Sequence, residues 1–333
     1  MLNLFLSLIG IFALIGIVAR LLHRYFIYIP DRTRVAPKET GLSGVEEIVF
    51  KAADGTKLIA WYLPAREGKP TLLYFTGNSG NTACRAGKIA TIGSDGYGVF
   101  MLNYRRYGGS EGRPTEARIA ADAISAHDCL RGQGVAPYDI VAYGESLGTA
   151  VATRLSLQRA VKALVLEAPF TSIVEVGKLL WKGFPLDIIM VDQYRTIDRI
   201  AEVTVPLCIL HGGRDEIIPL DQARRVFHKA NEPKSMTVLP AAGHNDLFEK
   251  GPGRRSRYSS RASGLRRLRR QAAPWRSLRR QASRIGSRAH RRSKTSVCFP
   301  RMRGIQLPSP CVVSPRQWLL DCPVKPGNDN GME

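Results

Sequence analysis

Five predominantly apolar runs, each followed by a stretch of helical period, leave this chain few ways to fold. "PTLLYFTG" (70–77), "YGVFMLNY" (97–104), "YDIVAYG" (138–144), "KALVLEAP" (162–169) and "VPLCILHG" (205–212) are continuous rather than alternating. That is the pattern of strands buried on both faces. The amphipathic stretches between them, such as 81–92 and 115–130, supply covering helices. The fold class is therefore α/β, with a mostly parallel, doubly wound sheet. Ahead of these runs, "VEEIVFKAADGTKLIAWYLP" reads as two strands around the Asp54-Gly55 turn, an antiparallel hairpin at the sheet's edge.

Two flanking segments do not share this rhythm. The N-terminus, "MLNLFLSLIGIFALIGIVARLLHRYF", has no charged side chain before Arg20, and a run of about 18 such residues at about 1.5 Å each matches a bilayer's hydrocarbon core. Residues 1–27 are therefore expected to form one transmembrane anchor helix. A cleaved signal peptide would need a basic start and an A-x-A-like site, and both are missing. Arg20, Arg24, Arg32 and Arg34 follow the run, so the positive-inside rule places the body, residues 28–250, on the cytoplasmic side of a single-pass protein. Within the body, residues 171–200 are longer than a plain crossover and gather Leu179, Leu180, Trp181, Phe184 and Leu186. They read as a cap over the strand ends or as a longer covering helix.

The formal charge of +21 suggests a nucleic-acid binder until it is divided by position. Residues 251–333 hold 20 Lys and Arg against 3 Asp and Glu, whereas residues 1–250 hold 29 against 25. The body has the charge balance of an ordinary enzyme domain. Nucleic acid is expected only as a non-specific partner of the tail. The six cysteines form no C-x-x-C pair, so free thiols are expected, with no metal site, disulfide framework or cofactor.

Chemistry concentrates at "YGESLGTAVA". Gly144-Glu145-Ser146-Leu147-Gly148 has the spacing G-x-S-x-G between an apolar strand and a helix. A serine on so sharp a turn is strained, and glycines on either side let the chain pass itself. Its hydroxyl projects at a helix N-terminus, where the Leu147 N–H is free to bind an oxyanion. A hydroxyl is a weak nucleophile at neutral pH, so it needs a base, and the base needs a carboxylate. Asp215 lies in a Gly-rich loop after one strand and His244 in a loop after another, giving the chain order Ser, Asp, His. Glu216 and Asp221 are the alternatives for the acid and His211 for the base. His23, His127, His228 and His290 sit at the anchor, in helical patterns or in the tail. The turn "YFTGNSGNTA" offers the second oxyanion donor, the backbone N–H of Asn78.

Together "TGNSGN", "NYRRYGGSEGRP", "YGESLGTAVA", "HGGRDEIIP" and "AAGHNDL" resemble the α/β-hydrolase superfamily over roughly residues 28–249. The nearest branch is similar to single-domain hydrolases with an N-terminal membrane anchor, grouped with serine aminopeptidase-like enzymes. The resemblance implies a nucleophilic Ser146, an acidic Asp215, a general base His244, and oxyanion amides on Asn78 and Leu147. Many relatives read His-Gly-Asn where this chain has Thr76-Gly77-Asn78, a change expected to perturb the loop more than the hole. The implied activity is a serine hydrolase acting on a small acyl substrate, an ester or thioester before an amide. No acidic pocket for a substrate amine is readable, and the apolar 171–190 stretch suits an acyl chain.

Relatives close the fold with one further helix after the histidine. Here the composition changes abruptly after Glu249-Lys250, with 18 Arg against 2 Lys in the tail. That shift reads as a changed reading frame or a read-through into non-domain sequence, with disorder the expected state. The functional alternative is an arginine-rich arm. L-R-R-Q-A occurs at 268–272 and again at 278–282, and Leu265, Leu268, Ala272, Trp275 and Leu278 recur at helical spacing, interrupted by Pro274. A chain damaged in this way could also be a catalytically inactive hydrolase-fold scaffold.

Overall fold

The structure is a computed structural model that describes residues 2–247. The tail, with its reading-frame and disorder expectations, lies outside the described residues, as does the helix expected after the histidine.

The chain opens with α1 (Leu2–Ile27), then β1 (Ile29–Pro30) and the hairpin β2 (Glu46–Lys51) and β3 (Lys57–Leu63). β4 (Thr71–Phe75), β5 (Ser79–Gly80), α2 (Ala86–Ser94), β6 (Gly98–Asn103), α3 (Glu116–Gly132), β7 (Ile140–Glu145), α4 (Leu147–Ser156) and β8 (Ala163–Glu167) follow. Three short helices, α5 (Ile173–Leu180), α6 (Leu186–Ile189) and α7 (Thr196–Arg199), lead to β9 (Leu207–Gly212), α8 (Leu220–Lys229) and β10 (Lys234–Leu239).

Eight strands form the main sheet in the order β10-β9-β8-β7-β4-β6-β3-β2. β2 and β3 pair antiparallel, β3 joins β6 antiparallel, and all other pairings are parallel. The expected parallel sheet and antiparallel edge are thus both present. Successive strand residues face opposite sides. Leu73, Phe75, Ala142 and Leu164 join α3 and α4 in one core. Tyr74 and Tyr143 stack on each other on the other face, where Lys88 of α2 reaches the Tyr74 hydroxyl at 3.1 Å. Burial on both sides is why the strands are apolar without alternation. α3 begins at Glu116 because the Thr115 side chain accepts from the Arg118 amide at 3.2 Å, a cap worth about 1 kcal/mol.

The order of strands positions the site. Within the main sheet the next strand in sequence after β4, β6, lies on one side of it and β7 on the other. The chain leaving β4 and the chain leaving β7 therefore run to opposite faces of the sheet, and the carboxyl ends of strands at such a point are where sheets of this kind bind ligands.

Among the described residues, no helix is long and apolar enough to cross a membrane. The side chains at 2–5, 8, 9 and 11–13 of α1 lie outside the described set. The fold therefore bears the expected sheet and hairpin, while the expected span over residues 1–27 falls in large part on side chains outside the described set. The 171–200 segment is not one long helix: it breaks at Gly183, which has φ +83°, and Pro185, and Leu186 turns into the core while Trp181 and Phe184 stay exposed.

Candidate active site

β7 ends at Glu145 and α4 starts at Leu147, which leaves Ser146 alone on the turn with φ 51° and ψ −115°. A non-glycine residue there carries a strain of about 1–3 kcal/mol and persists only where its surroundings fix it. Here the Ser146 amide donates to the Glu167 carbonyl at 2.8 Å, and the Ser146 carbonyl accepts from the Thr149 amide at 2.9 Å and the Thr149 hydroxyl at 2.6 Å. The flanking glycines have a steric reason. A Cβ on Gly144 would lie 2.3 Å from the Gly148 carbonyl oxygen, and one on Gly148 would lie 2.1 Å from that of Phe75. The helix can thus pack directly against the strand ends.

His244 stands opposite. Its Nε2 is 3.1 Å from Ser146 Oγ and its Nδ1 is 2.7 Å from Asp215 Oδ2. Beside an ionised carboxylate, the favoured tautomer carries its proton on Nδ1 and donates it to Asp215, leaving the Nε2 lone pair for the Ser146 hydroxyl. The other Asp215 oxygen accepts the amides of Ile217 at 2.9 Å and Ile218 at 2.8 Å. Burial alone would raise the Asp215 carboxyl. The hydrogen bond and electrostatic attraction of the His244 imidazole, with the two amides, outweigh that and hold it below the usual carboxylate range. The two loops can meet because β9 ends in glycine. The Arg214 amide donates to the Ala242 carbonyl at 2.8 Å, and a Cβ on Gly212 would come within 2.6 Å of that same oxygen.

His211, the rival base, lies behind the site. It is fully buried and its Nε2 donates to the Ile218 carbonyl at 2.9 Å, 3.6 Å from Asp215. Burial lowers its pKa, so it is neutral. The structure thus brings Ser146, His244 and Asp215 into one chain of hydrogen bonds and leaves His211 outside it.

Leu147 is the first residue of α4, so its N–H has no intrahelical acceptor. The Asn78 loop runs beside the turn: a Cβ on Gly77 would lie 3.5 Å from Ser146 Cβ. Three bonds hold Asn78 in place. Its carbonyl accepts from the Ile29 amide at 2.9 Å and the Tyr107 hydroxyl at 2.6 Å, and its side-chain amide donates to the Ile27 carbonyl at 2.8 Å. Thr76 is buried, its carbonyl held by the Tyr104 hydroxyl at 2.9 Å.

The sequence reading missed a charged cluster under the turn. Glu145 accepts from Arg85 at 2.9 Å, Lys88 at 2.9 Å and the Tyr74 hydroxyl at 2.6 Å. Glu167 accepts from Lys88 at 2.8 Å and the Tyr143 hydroxyl at 2.6 Å. Burial disfavours the Glu145 carboxylate, but the charges of Arg85 and Lys88 more than offset it and its pKa falls well below the usual value. Arg85 also donates to the Ser79 carbonyl at 2.7 Å, tying the Asn78 loop to the turn. The available signal was Glu167, a carboxylate closing an apolar strand, which calls for a buried cation.

A strained serine on a strand-to-helix turn, with an imidazole and a carboxylate behind it at the carboxyl ends of a parallel sheet, defines the α/β-hydrolase class. Protein relatives agree. The chain is 40% identical over 226 residues to the uncharacterized protein Rv2307c of Mycobacterium tuberculosis (strain ATCC 25618 / H37Rv), covering 67% of this chain and 80% of that protein. It is 34% identical over 229 residues to the alpha/beta hydrolase domain-containing protein WAV2 of Arabidopsis thaliana, covering 62% and 74%. The esterase Pf2001 of Pyrococcus furiosus shares the fold, with a TM-score of 0.54 and 18% identity over 66% of this chain and 92% of that one. No protein-family model matches the chain. This chain belongs to the α/β-hydrolase superfamily, and its fold and relatives are those of a hydrolase.

Proposed function

We propose that the protein is a membrane-anchored serine hydrolase that cleaves an ester or thioester through an acyl-enzyme. The observation that carries this reading is the continuous hydrogen-bond chain Ser146–His244–Asp215. Ser146 Oγ attacks the substrate carbonyl carbon as its proton passes to His244 Nε2. Asp215 holds the imidazole in the required tautomer and stabilises its positive charge. The oxyanion that forms rests on the Leu147 and Asn78 amides, and His244 returns the proton to the departing oxygen or sulfur. Water, deprotonated by His244, then releases the acid and restores Ser146.

α1 serves as the anchor in this reading, with the body on the cytoplasmic side. Its support is the uncharged sequence ahead of Arg20 and the helical backbone from Leu2 to Ile27. The arginine-rich tail contributes at most non-specific binding of polyanions.

A fluorophosphonate probe tests the enzyme reading. The full chain should label and Ser146→Ala should not, and a chain-length series of p-nitrophenyl esters then reports acyl preference. A folded chain that stays unlabelled is a scaffold, and the reading falls.

A further inference from the structure

Exposed apolar side chains are concentrated on this molecule. Of eighteen large ones among the described residues, nine lie on α1 and six, Leu179, Leu180, Trp181, Phe184, Ile188 and Val191, lie in the loop and short helices after β8. These two segments form one surface. Arg20 donates to the Ile188 carbonyl at 2.8 Å, the Phe26 and Trp181 rings meet edge to face at 5.6 Å, and Arg24 pairs with Asp192 at 2.8 Å. Neighbouring Leu186, Ile189 and Met190 turn into the core. The exposure of Ile188, at 74%, is therefore the outer face of a packed segment rather than loose chain.

We infer that the Trp181–Phe184–Ile188 face rests on the surface of the bilayer that holds α1, a second lipid contact beside the anchor. The inference builds on the anchor reading. Its geometric basis is depth: Arg20 is the first charge of α1, so a spanning helix leaves the hydrocarbon there, and the contacts at Arg20 and Phe26 set Ile188 and Trp181 at that level. Six residues of helix rise only about 9 Å. The composition suits that depth, since Trp181, Phe184, Tyr25 and Phe26 lie among Arg20, Arg24 and Lys182, and aromatic rings with basic side chains favour the headgroup boundary. An apolar surface of this extent left in water is an aggregation liability. A soluble partner covering it would also have to cover the exposed Leu21 and Tyr25 on the adjoining helix, which a bilayer covers without any further partner. The segment follows β8, at the same end of the sheet as Ser146, so lipid contact brings an acyl chain in the membrane close to the proposed nucleophile.

The test uses the full chain with Trp275→Phe and Trp318→Phe, which leaves Trp181 as the exposed indole and Trp61, 1% exposed, as the internal control. The protein is reconstituted in vesicles of mixed phosphatidylcholine and phosphatidylglycerol with brominated acyl chains. Trp181 emission should shift to the blue and be quenched, and Phe184→Ser with Ile188→Ser should lower that quenching by about twofold or more as the face lifts. A chain that floats with its vesicles while Trp181 stays unquenched overturns the inference and leaves the anchor standing. A chain that does not float overturns both.

Discussion

The Tyr107 hydroxyl donates to the Asn78 carbonyl at 2.6 Å, and the same carbonyl accepts the Ile29 amide at 2.9 Å. The residue whose amide is proposed to bind the oxyanion is thus held, through the carbonyl on the far side of its Cα, by the chain that leaves α1 and by the loop after β6. Removing one net hydrogen bond is worth about 1 kcal/mol. Tyr107→Phe should therefore lower kcat about fivefold, with KM nearly unchanged, because the loosened group meets only the transition state. A matching rise in KM would point to a role in substrate binding instead.

The strain at Ser146 yields an opposed pair of effects. Ser146→Gly removes a side chain from φ 51°, relieving about 1–3 kcal/mol against roughly 1 kcal/mol of added chain entropy. The variant should be inactive yet melt about 2–4 °C higher. Gly148→Ala places a methyl 2.1 Å from the Phe75 oxygen, a backbone atom that cannot step aside, and should express as unfolded protein. Calorimetry of the first and solubility of the second check the account. A melting point of Ser146→Gly below that of the parent counts against stored strain.

Asp215 is buried and accepts from His244 and two amides. Asp215→Asn keeps the shape but presents an amide to Nδ1, which favours the wrong imidazole tautomer. A loss of about 10⁴ in kcat is expected with little change in the melting curve. Near-full activity in the variant would remove Asp215 from the mechanism.

Legibility in the sequence followed distance along the chain. The turn at Ser146 was readable because Gly144, Ser146 and Gly148 meet one another locally, and the sheet because burial on both faces writes itself into each strand separately. Asp215 and His244 could be chosen by their places after strands, although their contact is made only through the loops at Gly212 and Ala242. The contacts that fix the surrounding loops were not readable. β1 and β5 are two residues each and pair across fifty positions. Lys88 joins Glu145 and Glu167 across 57 and 79 residues. Apolar periodicity does not record which buried charge finds which partner. The 171–200 segment was equally opaque, because short helices broken by Gly183 and Pro185 show neither a clean helical period nor a strand's.

The cluster beneath the turn makes a prediction about acid stability. Arg85 and Lys88 are balanced by Glu145 and Glu167, so Glu145→Gln leaves one buried cation uncompensated, at a cost of about 3–5 kcal/mol. The depressed Glu145 pKa sets the pH window. A carboxylate whose folded pKa lies below its unfolded value stabilises the fold fully above the unfolded value, about 4.3, and loses that contribution as pH falls toward the folded one. The parent should therefore lose stability steeply below about pH 4, whereas Glu145→Gln starts lower at neutral pH and has a shallower acid limb. Urea melts of both chains across that range read the two slopes. Parallel slopes would mean that Glu145 is not ionised in the fold, and that the cations beneath Ser146 are neutralised elsewhere.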